Sequence, residues 1–333
     1  MAHPSDPAGN QDIDPEFYLE KHEGDDYLRA LYELHGERFA AYRRDWDRAS
    51  RMEYVPEYPL YIQFELTNYC NLHCKMCHFA SYSHEAQHKK HLDLALFTRV
   101  LEECRGLVPS AMIGSASECL LHPEIETIIH RLGAGGFLDT IIHTNGVLLT
   151  DRIIDAILAS GISRLNVSLD AATPETYRRI RGGSLEKVER NIRRFLEKRA
   201  QRGGRLPYLR VTFVKLDDNM HEYDMFLDKW SGVADRVDFQ AYSPLCGEDE
   251  ETPLCAADVQ HDCSLPYRLL SFDYDGNAYP CCSYYMKFLG MGSVVDTPVA
   301  TIWRSAPMEA LRRSLRERTF LKPCVKCLST WKA

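Results

Sequence analysis

Three cysteines, Cys70, Cys74 and Cys77, stand in the stretch CNLHCKMC with three and then two residues between them. Thiolates so close in sequence can hold metal, but three ligands do not finish a structural site. Structural zinc takes four ligands, and an iron–sulfur cluster normally takes four cysteines. Three on one short loop would leave the fourth iron of a [4Fe–4S] cluster open to a ligand from outside the protein. The alternative from the same residues is a zinc site completed by His73, His78 or His84. More cysteines lie toward the other end: Cys263, the adjacent Cys281 and Cys282, and the pair Cys324 and Cys327, which by spacing could close a zinc ribbon.

The elements that must position these thiols follow from periodicity. Residues 1 to about 18 are polar and contain Pro and Gly, so this start is expected to be disordered; from Tyr27 to Ala49 apolar residues recur at helical intervals, giving a helical extension over 1–57. After Pro59 the stretches LYIQFEL, SAMIGSA, LDTIIHTN, SRLNVSL, YLRVTFVKL and RVDFQAY read as six short strands, alternating with helical segments such as LALFTRVLEEC and IIDAILASG. Strands and helices in series imply an α/β fold with a parallel sheet, open or curled into a partial barrel, whose functional loops gather at the carboxyl ends of the strands. CNLHCKMC directly follows the first strand. The acidic GEDEETP, 247–253, reads as a linker, and RLLSFDYDGNAYPCC as a hairpin turning at Asp275-Gly276. A helix-like segment, VATIWRSAPMEALRRSLRER, then leads to CVKC. The expected division is an extension over 1–57, a core over 58–245 and a small C-terminal unit over 246–333.

Composition narrows the function classes. The chain has 333 residues, 45% of them hydrophobic, and a formal net charge of -8. That charge gives no reason to expect binding to nucleic acid or an anionic membrane, so small-molecule or protein partners fit better. No apolar run is long enough to span a membrane and the start lacks a secretory pattern, which points to the cytoplasm. Twelve cysteines in such a protein indicate metal or redox chemistry, with Cys104 and Cys119 read as buried apolar thiols.

The cysteine loop, with Met76 as the hydrophobic residue before its last cysteine, resembles the signature of the radical S-adenosylmethionine (SAM) enzymes. ELTNYCNLHCKMC is similar to that family's first strand and cluster loop, SECLLHPE to its segment after the second strand, HTNGVLLT to its third strand, and SLDAATPETYRRIRGG to its fourth strand and following helix. The resemblance covers about residues 58–245. It implies a partial (β/α)6 TIM-like barrel in which SAM chelates the open iron of a [4Fe–4S] cluster held by Cys70, Cys74 and Cys77. One electron then cleaves SAM to a 5'-deoxyadenosyl radical, with the cofactor carrying the chemistry. Carried over by position, Glu118 would contact the SAM amino group, Asn145 the ribose, and Ser168 with Arg181 the methionine carboxylate. The sequence departs from the family at Ser117 and Cys119, which stand where glycine and proline are usual. An electron donor such as flavodoxin or ferredoxin is implied as partner.

Cys263, Gly276 and Cys281, followed by Cys324 and Cys327, resemble the first half of the SPASM module in its shorter twitch form. This implies an Fe–S hairpin-and-helix domain with one auxiliary [4Fe–4S] cluster on Cys263, Cys281, Cys324 and Cys327, with Cys282 competing for the place of Cys281. A fully ligated cluster should move electrons and not bind substrate. Such layouts imply dehydrogenation of a sugar, aminocyclitol or nucleoside in antibiotic-type metabolism. Epimerisation is a branch in which Cys246 or Cys255 would donate hydrogen; decarboxylation and ribosomal-peptide modification are others. Tyr242 and Gln240 fall where substrate is expected, or are packing residues. His84, His88 and His91 read as part of a solvated loop or as a metal site. A zinc-binding scaffold is the non-catalytic alternative.

Overall fold

The computed structural model describes residues 19–21, 26–77, 79, 88–242, 259, 261–282 and 289–329. Helices α1 (Asp26–His35) and α2 (Glu37–Ser50) follow a short strand, β1 (Leu19–Lys21). The six expected strands form as β2 (Tyr61–Phe64), β3 (Ser110–Ile113), β4 (Asp139–Thr144), β5 (Arg164–Ser168), β6 (Tyr208–Lys215) and β7 (Arg236–Ala241). They pair in parallel in sequence order. β2 and β7 do not pair with each other, so the sheet remains a partial barrel.

Alternation decides which side chains face which way. Ile62 and Phe64, Ala111 and Ile113, Leu165 and Val167, Leu209, Val211 and Phe213, and Val237 and Phe239 all join one buried core. The helices covering that face supply its other half. In α3 (Leu94–Cys104), Phe97, Val100, Leu101 and Cys104 are buried, and the Asp93 carboxylate caps the helix by accepting from Leu96 N at 2.8 Å. The other covering helices are α4 (Ile125–Gly133), α5 (Asp151–Ser160), α6 (Pro174–Arg181), α7 (Leu185–Gln201) and α8 (Tyr223–Trp230). The residues between the core positions on each strand face the barrel interior.

The N-terminal helices close one end of that interior. Tyr27 donates to Asp139 at the start of β4 and to Ser163 Oγ at 3.1 Å, and its ring meets Tyr208 at 5.2 Å. Tyr27, Leu31, Phe39, Tyr42, Leu60, Leu138, Tyr208 and Tyr267 form a second apolar cluster there. The carboxyl ends of the strands are left to carry the site.

Three features differ from the sequence expectation. The extension expected to be a disordered start and then helical also contributes a strand, since β1 pairs antiparallel with β7. The hairpin forms as β8 (Leu269–Phe272) and β9 (Asn277–Tyr279), but β8 pairs in parallel with β2, so the C-terminal unit extends the core sheet. β10 (Gly292–Ser293) completes the order β1-β7-β6-β5-β4-β3-β2-β8-β9-β10. The helix-like segment is two helices, α9 (Val299–Trp303) and α10 (Ala306–Arg316), because Pro307 lacks the N–H that a continuous helix would need and fits a first turn instead. α11 (Lys322–Ser329) ends the described chain. The linker, His78, His84, Cys246 and Cys255 lie outside the described residues. None of the described helices is long and apolar enough to cross a membrane.

Candidate metal and cofactor site

The loop 70–77 leaves β2 at its carboxyl end and is pinned to α6. Lys75 N donates to Ile180 O at 2.7 Å, and Cys77 N to Cys74 O at 3.0 Å, which makes the tight turn carrying half-buried Met76. Gly183, just past α6, permits this approach: a Cβ there would stand 3.0 Å from Leu72 and 3.2 Å from the Tyr177 ring. The three thiols are half-buried and none is in a disulfide. Burial pushes the Cys70 thiol up to about 12, against an opposing hydrogen bond from Leu72 N, with Glu118, Cys74 and Cys77 adding to the rise. Cys74 is raised by burial, opposed by Arg181, and raised further by Cys77. The three thiols are therefore within electrostatic reach of one another in a poorly solvated place where thiolates need a cation.

The donor set fits a thiolate-held cluster. Cys70 Sγ accepts from Leu72 N at 3.5 Å and from Asn145 Nδ2 at 3.7 Å, the kind of outer hydrogen bonding that tunes cluster thiolates. The Tyr177 hydroxyl is buried with no hydrogen-bond partner, within electrostatic reach of Arg181, Cys74, Asp170 and Glu118, and so awaits a polar group at this spot. Among the described residues no three His, Cys, Asp or Glu side chains converge on a single ion. A cluster asks for less convergence, because each of its irons takes its own thiolate. The described histidines are placed elsewhere. His73 and His88 are exposed, and His91 meets the rings of Tyr69 at 5.4 Å and His122 at 5.3 Å edge to face.

The residues expected to contact SAM are brought to this same end. Glu118 is 1% exposed, and its carboxylate accepts from Leu120 N at 3.1 Å, Thr144 Oγ1 at 2.7 Å and Asn145 N at 2.8 Å. Burial raises its carboxyl to about 7 despite these bonds. Asn145 Nδ2 reaches Asn71 Oδ1 at 2.8 Å, so this side chain lies over the cysteine loop. Its turn depends on Gly146, at φ +76°, where a Cβ would also strike Val188 and Val167. Arg181 is buried in a two-point ion pair with Asp170, its Nε donating to Oδ2 at 2.8 Å. Ser168 is half-buried at the end of β5, two residues before Asp170. At the departure from the family pattern, the Ser117 hydroxyl bonds buried Glu65 and reaches Thr67 Oγ1 at 2.8 Å, while Glu65 also accepts from Ala116 N at 2.8 Å. Cys119 donates to His143 O at 3.1 Å beside Gly114.

Sequence reasoning missed Glu65, Asp170 and Tyr177 as supports. Their signal was position: Glu65 faces inward by alternation, Asp170 sits at a strand end with φ +60°, and Tyr177 is one helical turn before Arg181. Asp170 Oδ1 accepts from Val214 N at 2.7 Å, which fixes the carboxylate that fixes Arg181. Gln240 is half-buried at the end of β7 and Tyr242 exposed just beyond it.

The second group gathers from three segments. Cys263 precedes β8, Cys281 and Cys282 follow β9, and Cys324 and Cys327 lie on α11; all are half-buried and none is in a disulfide. Cys263 is pushed far up by burial, then by Cys327, Cys324 and Cys282. Cys324 is raised by burial to about 11. Cys281 and Cys282 both follow β9 directly, so either could join Cys263 and the α11 thiols. Because β8 runs parallel to β2 and β9 returns, Cys263 and Cys282 enter and leave the hairpin on the side where the parallel strands begin. The loop 70–77 lies where they end, a four-residue strand or about 13 Å away.

Residues 64–213 match the model of the Radical SAM superfamily, and residues 263–328 that of SPASM, an iron–sulfur cluster-binding domain. Among curated proteins, the AdoMet-dependent heme synthase of Methanosarcina barkeri is 35% identical over 132 residues, 39% of this chain and 37% of that protein. A GTP 3',8-cyclase of Alkaliphilus oremlandii is 34% identical over 134 residues, 40% of this chain and 42% of that one. The chain thus matches about two fifths of the length of these two relatives. Among solved structures, BtrN in complex with AdoMet and 2-DOIA matches with TM-score 0.53 and 16% identity, covering 83% of this chain and 93% of that one. SuiB of Streptococcus suis bound to precursor peptide SuiA matches with TM-score 0.64 and 14% identity, covering 88% and 75%. At these identities the likeness is one of fold.

Proposed function

We propose that this chain, which carries a radical SAM domain joined to a SPASM-type cluster domain, and with them a [4Fe–4S] cluster with SAM and an auxiliary iron–sulfur cluster, oxidises an alcohol carbon of a carbohydrate-like small molecule. The substrate class is a sugar, aminocyclitol or nucleoside. The observation that carries the reading is the pairing of an incomplete thiol set with a complete one on a single sheet. Cys70, Cys74 and Cys77 would hold the first cluster, and Cys263, Cys281, Cys324 and Cys327 the second, with Cys282 competing for the place of Cys281. Bound together, these groups supply hydrogen-atom abstraction from carbon and a place for the electron left behind, so that an alcohol losing one hydrogen atom, one proton and one electron becomes a ketone.

The protein's own groups orient the reactants. Glu118, buried and balanced near neutrality, suits the SAM ammonium, and Asn145 the ribose above the cysteine loop. Asp170 holds the Arg181 guanidinium beside Cys74, where with Ser168 it would meet the methionine carboxylate. A flavodoxin or ferredoxin would supply the electron. Inward-facing polar residues, Gln63, Asn166 and Ser271 among them, suit a hydroxyl-bearing substrate.

The test is an anaerobic assay of reconstituted protein with SAM and dithionite against aminocyclitols, aminoglycosides and sugar nucleosides. 5'-Deoxyadenosine and substrate mass are followed together. The expected product is two daltons lighter than its substrate. Unchanged mass with solvent deuterium would give epimerisation, a task for Cys246 or Cys255, and a loss of 44 decarboxylation. Modification of a leader-bearing peptide in place of any of these would overturn the small-molecule reading.

A further inference from the structure

Between the cysteine loop and the N-terminal plug, the barrel interior carries a tier of polar side chains that none of the assignments above uses. His143 on β4, Asn166 on β5, Arg210 on β6 and Arg236 on β7 are register neighbours across four strands. Ile142, Leu165, Val167 and Leu209 beside them pack in the outer core, so this row faces inward. Arg210 and Arg236 both reach buried Asp238. Glu65, just past β2, accepts from Ala116 N and bonds the Ser117 hydroxyl. Asn166 Nδ2 meets His143 Nε2 at 2.5 Å.

His143 has one polar atom beyond these pairings. Its Nε2 is engaged by Asn166 and its backbone carbonyl by Cys119 Sγ. Nδ1 makes no hydrogen bond among the described residues, and it is not sealed in, because the inward-facing side chain is half-buried and keeps accessible surface. Burial, with Arg210 and Arg164 nearby, pushes the ring down to about 3, so it is neutral. A neutral imidazole with one nitrogen engaged offers the other as donor or as acceptor, according to which way the Asn166 amide is turned. A hydroxyl answers it in either case, since it both donates and accepts. An ammonium only donates and a carboxylate only accepts. The place also suits the reaction. His143 stands two residues, about 7 Å along the strand, before Asn145, which is proposed above to meet the SAM ribose. A group held at Nδ1 is therefore on the plug side of the residues assigned to SAM.

We infer that His143, its ring set by Asn166, contacts the substrate and holds the alcohol group to be oxidised through a hydrogen bond between its free ring nitrogen and that hydroxyl. Asn166 is the positioning residue. The inference rests on the proposed function and deepens it, by naming the substrate group that is read next to the SAM site and the side chain that reads it.

The experiment is anaerobic calorimetry on the holoprotein with SAM bound, using myo-inositol, scyllo-inosamine, D-glucose and uridine as probes. At least one should bind. His143→Phe should weaken the tightest of them about 10-fold or more, whereas His143→Gln, which restores a donor and an acceptor, should stay within about 3-fold of the wild type. Asn166→Ala should weaken binding in the presence of His143 and much less in the His143→Phe background, as expected of a residue acting through the ring. A second measurement needs no variant to fold. Diethyl pyrocarbonate should modify His143 in the wild-type holoprotein, read by peptide mass, and the tightest probe should shield it. Failure of every probe to bind, equal binding by His143→Phe, a loss in His143→Gln as large as in His143→Phe, or a His143 that is unmodified or unshielded overturns the inference. The two readings fail separately. Absence of 5'-deoxyadenosine sinks the radical function, whereas 5'-deoxyadenosine formed while His143 stays unshielded sinks only the alcohol contact.

Discussion

Cys70, Cys74 and Cys77 share one short loop where β2 ends, whereas Cys263, the adjacent Cys281 and Cys282, and Cys324 with Cys327 come from a segment before β8, a turn after β9 and the helix α11. The first group needs only a loop held in place. Its anchors are few and buried: the backbone bond from Lys75 to Ile180, the space at Gly183, and the Asp170–Arg181 pair beside Cys74. The second group exists only once the hairpin and the helices after it have packed. Trp303 Nε1 donating to Pro56 O at 2.9 Å, and Arg318 Nη2 to Val259 O at 2.9 Å, are parts of that packing. The contrast suggests that metal loading at the first site depends on local order and at the second on the folding of the whole C-terminal unit.

The largest effect expected is from Cys70→Ala, which should abolish 5'-deoxyadenosine formation while the auxiliary cluster persists. Loss of all iron would mean that the two sites do not load separately, and the comparison would break. Next, Cys281→Ala should remove roughly half the iron and the oxidised product while SAM cleavage survives, and Cys282→Ala should leave the iron count intact, as read by iron analysis and electron paramagnetic resonance. The reverse outcome would move the ligand to Cys282. Asp170→Ala strands a buried guanidinium and should cost about 3–5 kcal/mol in urea unfolding, together with weaker SAM binding; a change below 1 kcal/mol would remove Asp170 from the anchors. The smallest effect is Arg318→Ala, about 1 kcal/mol or less, since its pair with Asp262 is half exposed. It should show as slower loading of the auxiliary cluster only.

Much of the fold was legible because alternation is a strong signal. All six core strands and the Asp275-Gly276 hairpin form where the pattern places them. β1 was not, because three residues carry too little periodicity to stand out. The pairing of β8 with β2 was hidden as well, since nothing local in RLLSF states which distant strand it will join. At the site, spacing alone singled out the cysteine loop.

By itself the sequence determined whatever depends on neighbours along the chain: three thiols within one loop, the strand before them, the turn after Asn145, and the helix that carries Arg181. Local geometry follows from a few backbone angles, so residue type and spacing suffice. Tertiary structure alone decided that Arg181 is tied to Asp170, and that Arg210 and Arg236 both reach buried Asp238. Pairing of β6 with β7 brings Arg210 to Asp238, and a one-residue change of register would turn it to the opposite face, whereas the packing of α6 beside the end of β5 brings Arg181 to Asp170.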